Sequence, residues 1–448
     1  METSIAETSV VELIESKKHK ELKERVANLN SIDLAEEFES LNREQQVVLF
    51  RSLPKDAAAD VFAHLPAETK ENLIEFLTDP ELAHIVNDLF LDDAVDFIEE
   101  MPANVVKRVL KNASEDTRKQ INQLLQYHED SAGSIMTTEY VDLKEEMTVK
   151  EAFARIRRVG MDKETIYTCY VVDNKRVLDG VVTVRTLLLA DASDRVGDVM
   201  ETNVLYAATG DDRERVVELF RKYDLIAMPV VDTEKHLVGI ITVDDVMEVM
   251  KEENTEDFYK MAAMMPSDDS YLASGVFELA KKRIFWLLVL MVSATFTGGI
   301  ITRYERLLAV FPTLIAAIPM LMDTGGNAGA QSSTLIIRGM AVGELGISDW
   351  LPIFWKELRV SSLVGAILGV LNVGYKWILS GDPRLALTIG CSLFATIVLA
   401  KIIGCMLPLL ARALRFDPAL MAAPIVTTIV DAGGLVVYFR VAEALMRL

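Results

Sequence analysis

The chain has 448 residues and a net charge of −21, and its charges are unevenly distributed. Residues 1–270 contain 31 Lys and Arg against 57 Asp and Glu, whereas residues 271–448 contain 15 against 10 and are strongly apolar. The acidic surface argues against nucleic acid and anionic membrane as main partners, and the three cysteines show neither disulfide-framework nor metal-ligand spacing.

Residues 1–130 show the pattern of an acidic, all-α domain. Apolar residues recur at spacings of three and four, and short segments are separated at Pro54, Pro66, Pro80 and Pro102. A helix tolerates proline in its first turn, so each proline marks a helix start. Short, evenly spaced helices predict a stacked, solenoid-like N domain.

Residues 131–250 contain an internal repeat with a shift of 59 residues. Tyr170-Val-Val-Asp173 and Gly180-Val-Val-Thr183 recur as Pro229-Val-Val-Asp232 and Gly239-Ile-Ile-Thr242. Each half reads as helix, strand, turn, strand and helix, which predicts an α/β unit. The pair resembles a tandem CBS-domain module, in which Ile135-Met136-Thr137 and Val199-Met200 lead into the two halves.

The two halves of the repeat differ at one position that bears on nucleotide binding. The second half ends in Thr242-Val-Asp-Asp245, which is similar to the Thr/Ser-x-x-Asp with which some CBS domains hold a ribose. The first half has Thr183-Val-Arg-Thr186 and lacks that acid. The resemblance therefore implies ATP as a candidate ligand of Thr242 and Asp245, in the second half only.

Residues 246–270 predict an amphipathic helix that connects the repeat to the apolar region. Apolar residues recur at helical spacing up to Pro266, and acidic residues crowd the same segment. One interpretation is a solvated linker. The other is a connecting helix that carries the state of the acidic domains to the membrane.

Residues 271–448 predict an all-α transmembrane domain of five helices, because each apolar stretch approaches the length that a membrane span needs. The expected spans are 284–302, 307–337, 360–379, 385–411 and 418–446. The start of the chain, METSIAETSV, has no basic or apolar leader, so we expect no cleaved signal peptide. These features predict a multi-pass protein in the lipid of the cell membrane, with a cytoplasmic N-terminus and an extracytoplasmic C-terminus.

The second span contains a polar, glycine-rich segment, Pro319 to Thr334. We expect irregular backbone here, lining a cavity as in the discontinuous helices of transporters. The alternative is a kinked helix packed through small residues. Asp323 fits either an ion path or an interface, and Lys401 in the fourth span either pairs with an acid or extends toward the membrane surface.

An aspartate, Asp431, lies in the middle of the last apolar stretch. Such a residue is costly in a membrane and usually faces a bundle interior or a wet path. Thr427 and Thr428 share its general helix face, and Pro424 one turn earlier is expected to free backbone carbonyls. This set of oxygens suits Mg²⁺. A structural hydrogen bond and a proton relay are the alternatives.

The stretch PMLMDTGGNAGAQSSTLIIR, together with residues 418–434, resembles the transmembrane signature of MgtE-type magnesium transporters. The order of helical N domain, CBS pair, connecting helix and five-helix membrane domain also matches. The resemblance implies a homodimeric, Mg²⁺-selective channel or transporter with its pore on the two-fold axis. The pore and ion-binding residues that we assign are Asp431, Thr427, Asn327, Gly325 and Gly326.

The resemblance also implies that cytosolic Mg²⁺ closes the pore by binding at acidic domain interfaces. The matching positions are Asp60, Asp92, Asp96, Asp224, Asp245, Glu248, Glu253, Glu256 and Asp257. One departure from the family pattern is Ala423 before Pro424, where some members carry asparagine.

Two other functions remain open from the sequence. One is transport of another cation, such as Co²⁺ or Mn²⁺, regulated by nucleotide at the CBS pair. The other is a membrane receptor that reports on a ligand without transport. An enzyme is not expected, because the membrane spans contain no HExxH motif and no evident nucleophile–base pair.

Overall fold

The computed structural model describes residues 9–267, 271 and 274–446, so the signal-peptide expectation at residues 1–8 lies outside the described residues. The chain divides into two compact units, Met1–Met250 and Lys251–Leu448. The first contains the acidic helical domain and the repeat, and the second contains the apolar helices.

The N domain is all-α, as predicted. Helices two apart in the sequence pack together, since α3 contacts α5, α5 contacts α7 and α7 contacts α9 in a stacked arrangement. Edge-to-face ring contacts link Phe38, Phe50, Phe62 and Phe97 through its core. The described helices are α1 (Val10–Glu15), α2 (His19–Val26), α3 (Ser31–Glu39), α4 (Arg43–Phe50), α5 (Lys55–Ala63), α6 (Ala67–Phe76), α7 (Asp79–Asp88), α8 (Leu91–Glu99), α9 (Ala103–Asn112) and α10 (Glu115–Leu124).

The prolines of this domain do mark helix starts. Pro54, Pro66 and Pro102 each occupy the position immediately before a helix, and Pro80 lies in the first turn of α7. Thr78 and Glu81 add a reciprocal capping box at that start. This capping box satisfies amide groups that have no partner within the helix.

The repeat folds into two matching three-stranded sheets. In each sheet the short first strand pairs parallel with the second, and the second pairs antiparallel with the third. Gly180 lies opposite Val171 and Gly239 opposite Val230, which reproduces the shift of 59 residues. The elements are β1 (Asp142–Leu143), α11 (Val149–Val159), β2 (Thr168–Val172), β3 (Leu178–Thr183), α12 (Val184–Leu189), α13 (Val196–Val199), β4 (Ala207–Ala208), α14 (Arg213–Tyr223), β5 (Ala227–Val231) and β6 (Leu237–Thr242).

A close approach explains the repeated glycine. A Cβ atom on Gly180 would lie 2.6 Å from the sulfur of Met200, and one on Gly239 would lie 2.7 Å from the sulfur of Met136. Both methionines belong to the predicted leading segments. Thr137 bridges to Ile240 in the same region, so the leading segment of the first half packs on the sheet of the second half.

Helix α15 (Val243–Met261) is the connecting helix, but its bounds differ from the predicted 246–270. It begins at the end of β6 and ends before Pro266, because Ala263 adopts a left-handed φ of 52°. The amide of Met264 then donates to the carbonyl of Tyr259 at 2.9 Å, which closes the helix end. Residues 268–270 of the prediction lie outside the described residues.

The membrane unit contains five long helices within the described residues. By length and composition, four segments are suited to cross a membrane, namely Val276–Arg303, Ile347–Ser380, Pro383–Ala413 and Ala423–Met446. The fifth long helix, α18, spans Ile318–Ala341. The helices of the unit are α16 (Val276–Arg303), α17 (Glu305–Val310), α18, α19 (Trp350–Ser380), α20 (Pro383–Ala413) and α21 (Ala423–Met446), with 3-10 turns at Pro312–Ala317, Ile347–Asp349 and Pro418–Met421.

The predicted break within Pro319–Thr334 is wrong, because α18 is continuous through that segment. Pro319 lies in the first turn of the helix, where its missing amide costs little. The irregular backbone comes earlier, in the 3-10 turn at Pro312–Ala317. The polar residues and glycines of this segment therefore lie on the surface of a continuous helix.

Candidate ion-binding sites

Helix α18 presents a row of polar side chains on its exposed face. Asp323, Asn327, Gln331 and Thr334 are all exposed and follow one another at helical spacing. Its opposite face, which includes Ser332 and Ser333, is buried. The unit thus carries an uncovered polar stripe on a helix that packs against α20 and α21, two of the helices suited to cross a membrane.

Asp431 lies half-buried on α21, and Asp323 of α18 is close enough to interact with it electrostatically. Within the described residues, the Asp431 carboxylate has no hydrogen-bond or ion-pair partner. Since Asp323 is exposed and Asp431 is half-buried, both carboxylates remain open to a cation.

The threonines before Asp431 are less free than the sequence indicated. Pro424 lies in the first turn of α21 and does not interrupt the helix. Its carbonyl accepts hydrogen bonds from the hydroxyls of Thr427 at 3.0 Å and Thr428 at 2.8 Å. Because α21 begins at Ala423, Pro424 lies in the first turn, where its missing amide frees no carbonyl of the helix, so the expected spare carbonyl does not arise.

The glycines of α18 lie at helix contacts. Gly325 and Gly326 are buried, and a Cβ on Gly325 would lie 2.8 Å from the side chain of Thr396 on α20. A Cβ on Gly326 would lie 3.0 Å from the side chain of Thr427. These glycines bring α18 against α20 and α21, and Asn327 belongs to the exposed stripe.

In the first unit, acidic side chains converge between the N domain and the CBS pair. Carboxylate oxygens of Asp92, Glu139 and Glu164 lie within 4.8 Å of one another, a spacing that one metal ion can bridge. Asp92 is buried, with 7% of its surface exposed. The amide of Leu91 donates to Glu139 at 3.1 Å, and one oxygen of Glu164 is buried without a partner among the described residues.

Neighbouring acids extend this cluster and shift its protonation. Desolvation, followed by repulsion from Asp245, raises the pKa of Asp92 well above its ordinary value. Desolvation and then Asp244 raise the pKa of Glu164 to about 8. Asp96 keeps contact with water, but desolvation by the surrounding protein and then Glu248 raise its pKa to about 8. We refer below to Asp92, Asp93, Asp96, Glu139, Glu164, Asp244, Asp245 and Glu248 as the acidic cluster.

Asp245 has a second role at the end of β6. It accepts a hydrogen bond from the Thr242 hydroxyl at 2.6 Å and a longer one from the Thr242 amide at 3.3 Å. Desolvation raises the pKa of Asp245 to about 7, against the lowering effect of this Thr242 hydroxyl. In the first half, the Thr183 and Thr186 hydroxyls lie 2.9 Å apart instead, so no carboxylate stands there.

The membrane unit contains a second acidic group at the end of α15. Lys260 Nζ lies 2.7 Å from both Glu256 Oε1 and Asp417 Oδ2. Desolvation, and then repulsion from Asp417, raises the pKa of Asp257 to about 6. Glu253 also bears electrostatically on Asp257.

Two of the predicted regulatory acids lie elsewhere. Asp60 is exposed on α5, and Asp224 is exposed at the end of α14 with a left-handed φ of 51°. Within the part of the chain that the structure describes, neither side chain makes a hydrogen bond or ion pair. Aspartate tolerates this conformation well, which gives Asp224 a local structural reason to be there.

Sequence reasoning missed five acids that the structure adds, two of them sequence neighbours of predicted acids and three from elsewhere in the chain. Glu139, Glu164 and Asp417 lie in loops or turns far along the chain from the residues that they approach. No spacing rule in the sequence connects Glu139 with Asp92. Only the tertiary fold brings these side chains together.

Three parts of the chain match known family models. Residues 29–130 match the MgtE intracellular N domain, residues 132–193 and 196–252 match CBS domains, and residues 318–441 match the divalent cation transporter MgtE. The magnesium transporter MgtE of Thermus thermophilus is 42% identical over 330 residues, which cover 74% of this chain and 73% of that protein. The chain belongs to the MgtE family of divalent cation transporters.

Other MgtE relatives agree with this assignment. The magnesium transporter MgtE of Bacillus subtilis is 32% identical over 80% of this chain and 79% of its own length. A crystal structure of the cytosolic domain of the Mg²⁺ channel MgtE in complex with ATP is similar with a TM-score of 0.52 and 38% identity, covering 54% of this chain and 98% of that chain. The soluble part of a magnesium transporter is similar with a TM-score of 0.51 and 29% identity, over 55% and 96%.

Membership in the MgtE family confirms several predictions. The chain is a multi-pass membrane protein with a helical N domain, a tandem CBS pair and a helical membrane domain, and its family consists of transporters rather than enzymes. The structure adds an uncovered polar stripe in the membrane unit and an acidic cluster in the first unit.

Proposed function

We propose that this MgtE-family protein transports Mg²⁺ along a path lined by Asp431 and the polar stripe of α18. The stripe carries the proposal. We place α18 in the membrane together with α20 and α21, against which it packs, so its exposed row of Asp323, Asn327, Gln331 and Thr334 needs water or protein in front of it. A charged side chain at the bilayer centre costs about 2.5–3.5 kcal/mol on insertion scales, so lipid is an unfavourable neighbour for Asp323.

A second copy of the chain supplies the missing wall in this proposal. Two copies around a two-fold axis would place their stripes and Asp431 residues opposite one another, with water and Mg²⁺ between them. Mg²⁺ keeps several of its waters and is held by one or two carboxylates, which fits a path with few acids and many neutral oxygens. Asp431 is thus assigned as the ion-binding residue.

Mg²⁺ as the substrate is supported by the relatives, which are named magnesium transporters. The oxygen-only donors at Asp431 and on the stripe agree with a hard cation, although they also accept Mn²⁺. Transport of Co²⁺ or Mn²⁺ is the competing substrate assignment, and competition between these ions during uptake distinguishes them.

The acidic cluster supports regulation by cytosolic Mg²⁺. Two carboxylates 4.8 Å apart repel by about 3.5 kcal/mol at an effective dielectric near 20. Without a cation this repulsion loosens the packing of α8 on the CBS pair, and a bound Mg²⁺ reverses its sign. The ion shifts the equilibrium only through tighter binding to the packed state, which we assign as the closed one.

Helix α15 is the element through which the cluster acts in this proposal. Its first turns carry Asp244 and Asp245 of the acidic cluster, and its last turns carry Asp257 and Lys260 beside Asp417. Ion binding at the cluster therefore bears on the same helix that contacts the loop before α21. Asp60 and Asp224 stand apart from the cluster, and their regulatory role stays a prediction from the sequence.

We place the acidic unit in the cytoplasm and the protein in the cell membrane. With five spans, the C-terminus then lies outside. A nucleotide is a second regulatory ligand, supported by the related cytosolic domain that was crystallised with ATP. We assign Thr242 and Asp245 as its site. Because Asp245 also belongs to the acidic cluster, ATP bound at this site should change the Mg²⁺ concentration at which the path closes. Titration with ATP during Mg²⁺ uptake measures that change.

Uptake of Mg²⁺ by purified protein in lipid vesicles tests the transport proposal. Asp431→Asn keeps the side-chain volume and removes the charge, and we expect uptake to fall to the level of empty vesicles. Glu443→Gln is the matched control, because Glu443 lies near the end of the same helix and pairs with Arg440. Unchanged uptake in Asp431→Asn would reject the assigned path.

A further inference from the structure

A buried lysine lies inside the membrane unit and takes no part in the path described above. Lys401 of α20 is only 6% exposed, and its Nζ donates a hydrogen bond to Ser332 Oγ of α18 at 3.3 Å. Ser332 Oγ in turn donates to Glu357 Oε2 of α19 at 2.8 Å. One hydroxyl thus links a buried cation to a carboxylate where three helices meet, so Lys401 pairs with an acid through an intermediary.

The arrangement satisfies groups that would otherwise be costly to bury. An ionised amine in an apolar interior needs a charge partner, and ionisable residues in membrane helices usually pair with one another. Ser332 is 1% exposed, so its hydroxyl is shielded from bulk water. Hydrogen bonds to charged groups are the stronger ones, which makes the Lys401–Ser332–Glu357 link a firm connection among α18, α19 and α20.

The link lies on the face of α18 that is turned away from the polar stripe. Ser332 directly follows Gln331, and one is buried while the other is exposed. One turn earlier, a Cβ on Gly329 would lie 3.1 Å from the carbonyl oxygen of Ala400, the residue before Lys401. Close backbone packing therefore lets Lys401 reach Ser332 on this side of α18.

We propose that Lys401 is a positioning residue for ion transport: as the counter-charge of Glu357 through Ser332, it fixes the rotation of α18 that presents the polar stripe to the path. The inference rests on the proposed transport function. Lys401 does not touch the ion; it acts by holding Ser332 and Glu357. Removing its charge leaves Glu357 without compensation and frees α18 to rotate.

A cycle of charge substitutions in the full-length protein tests this role by vesicle uptake of Mg²⁺. Lys401→Met removes the charge and should lower uptake on the order of tenfold, because breaking a buried charge pair leaves the other charge unpaired. Lys401→Met combined with Glu357→Gln removes both charges and should recover most of the uptake. Lys401→Arg should retain it, and Lys356→Met is the matched control on an exposed lysine.

Labelling at Gln331 measures the position of α18 independently of flux. In a chain with Cys169, Cys391 and Cys405 replaced by alanine, Gln331→Cys should react with a charged, water-soluble thiol reagent. The rate should fall when Lys401→Met is added and return with Glu357→Gln. A general loss of stability in Lys401→Met would not be reversed by adding Glu357→Gln, so recovery of the labelling rate in the double variant reports on the charge pair.

The outcomes separate this inference from the transport proposal. Loss in Lys401→Met with recovery in the double variant, for both uptake and labelling, supports it. Wild-type uptake and labelling in Lys401→Met, or no recovery in the double variant, overturns it. If wild-type protein shows no uptake, the transport proposal fails, and the labelling cycle alone decides whether Lys401 sets the rotation of α18.

Discussion

Neutralising Asp92 should strengthen the packing of α8 in the absence of Mg²⁺. Asp92 is 7% exposed, and its carboxylate lies within 4.8 Å of those of Glu139 and Glu164. Asp92→Asn keeps the shape and the oxygen that accepts the Asp93 amide at 2.9 Å, but removes the repulsion. One such pair amounts to about 3.5 kcal/mol at an effective dielectric near 20.

The measured gain should be smaller than this pair energy. Burial raises the pKa of Asp92 well above its ordinary value, so proton uptake already relieves part of the repulsion in the wild type. We therefore expect a gain of about 1.4 kcal/mol, which corresponds to a tenfold change in the opening equilibrium.

Hydrogen exchange of the full-length protein measures this gain at the amides of Leu91–Glu99. In wild type, exchange should be fast without Mg²⁺ and slow with it. In Asp92→Asn it should already be slow without Mg²⁺, and added Mg²⁺ should change it little. Asp116→Asn, on an exposed acid of α10, should behave as wild type. Faster Mg²⁺-free exchange in Asp92→Asn, or an unchanged Mg²⁺ effect, would refute the reasoning.

Three further predictions concern pH, helix packing and the second acidic group. The pKa of Glu164 is raised to about 8, so Glu164 binds more protons in the folded state than in the unfolded state. The protection of the α8 amides from hydrogen exchange without Mg²⁺ should therefore fall as pH rises from about 4 through 8, after correction for intrinsic exchange rates. A protection that does not change with pH would contradict this prediction. A Cβ on Gly404 would collide with the backbone of Gly329, so Gly404→Leu should lower the free energy of unfolding by about 1–3 kcal/mol or more. The yield of monodisperse protein in size-exclusion chromatography should fall with it. Gly298→Ala should leave that yield unchanged, because a Cβ on Gly298 meets no atom within 4 Å. Lys260→Gln leaves the carboxylates that Lys260 bridges without their internal cation, so Mg²⁺ should inhibit uptake at lower concentration; inhibition that requires more Mg²⁺ would show that Lys260 acts mainly as a tether.

Local patterns in the sequence were sufficient to predict the domain order. Proline at helix starts, a 59-residue repeat and long apolar stretches each report on structure formed by neighbouring residues. The structure carries the repeat into the strand register, because the same glycine lies opposite the same valine in both sheets. These signals do not depend on distant contacts.

The errors arose where tertiary packing decides. Glycine-rich composition suggested a broken helix at Gly325 and Gly326, but the neighbouring helices need close approach there and α18 stays intact. The end of α15 depends on a left-handed alanine, Ala263, which has no sequence signature. The partners of Asp92 come from loops that only the folded chain brings near, so Glu139 and Glu164 were not predicted.

Asp431 and Asn327 were assigned from the sequence, and their part in the ion path remains a prediction. The structure supports it through the exposed stripe beside Asp431, with Asp323 and Gln331 as additional members. Helical spacing from Asn327 was the signal that connects these residues, and it was present in the sequence.

The most direct test is Mg²⁺ uptake into vesicles with either low or high Mg²⁺ on the side of the acidic unit, for wild type and Asp431→Ala. We expect wild type to transport at low Mg²⁺, to slow when Mg²⁺ on that side is raised, and Asp431→Ala to remain inactive in both conditions. Uptake by Asp431→Ala at the wild-type rate would contradict the path, and wild-type uptake that is indifferent to Mg²⁺ on that side would contradict its regulation.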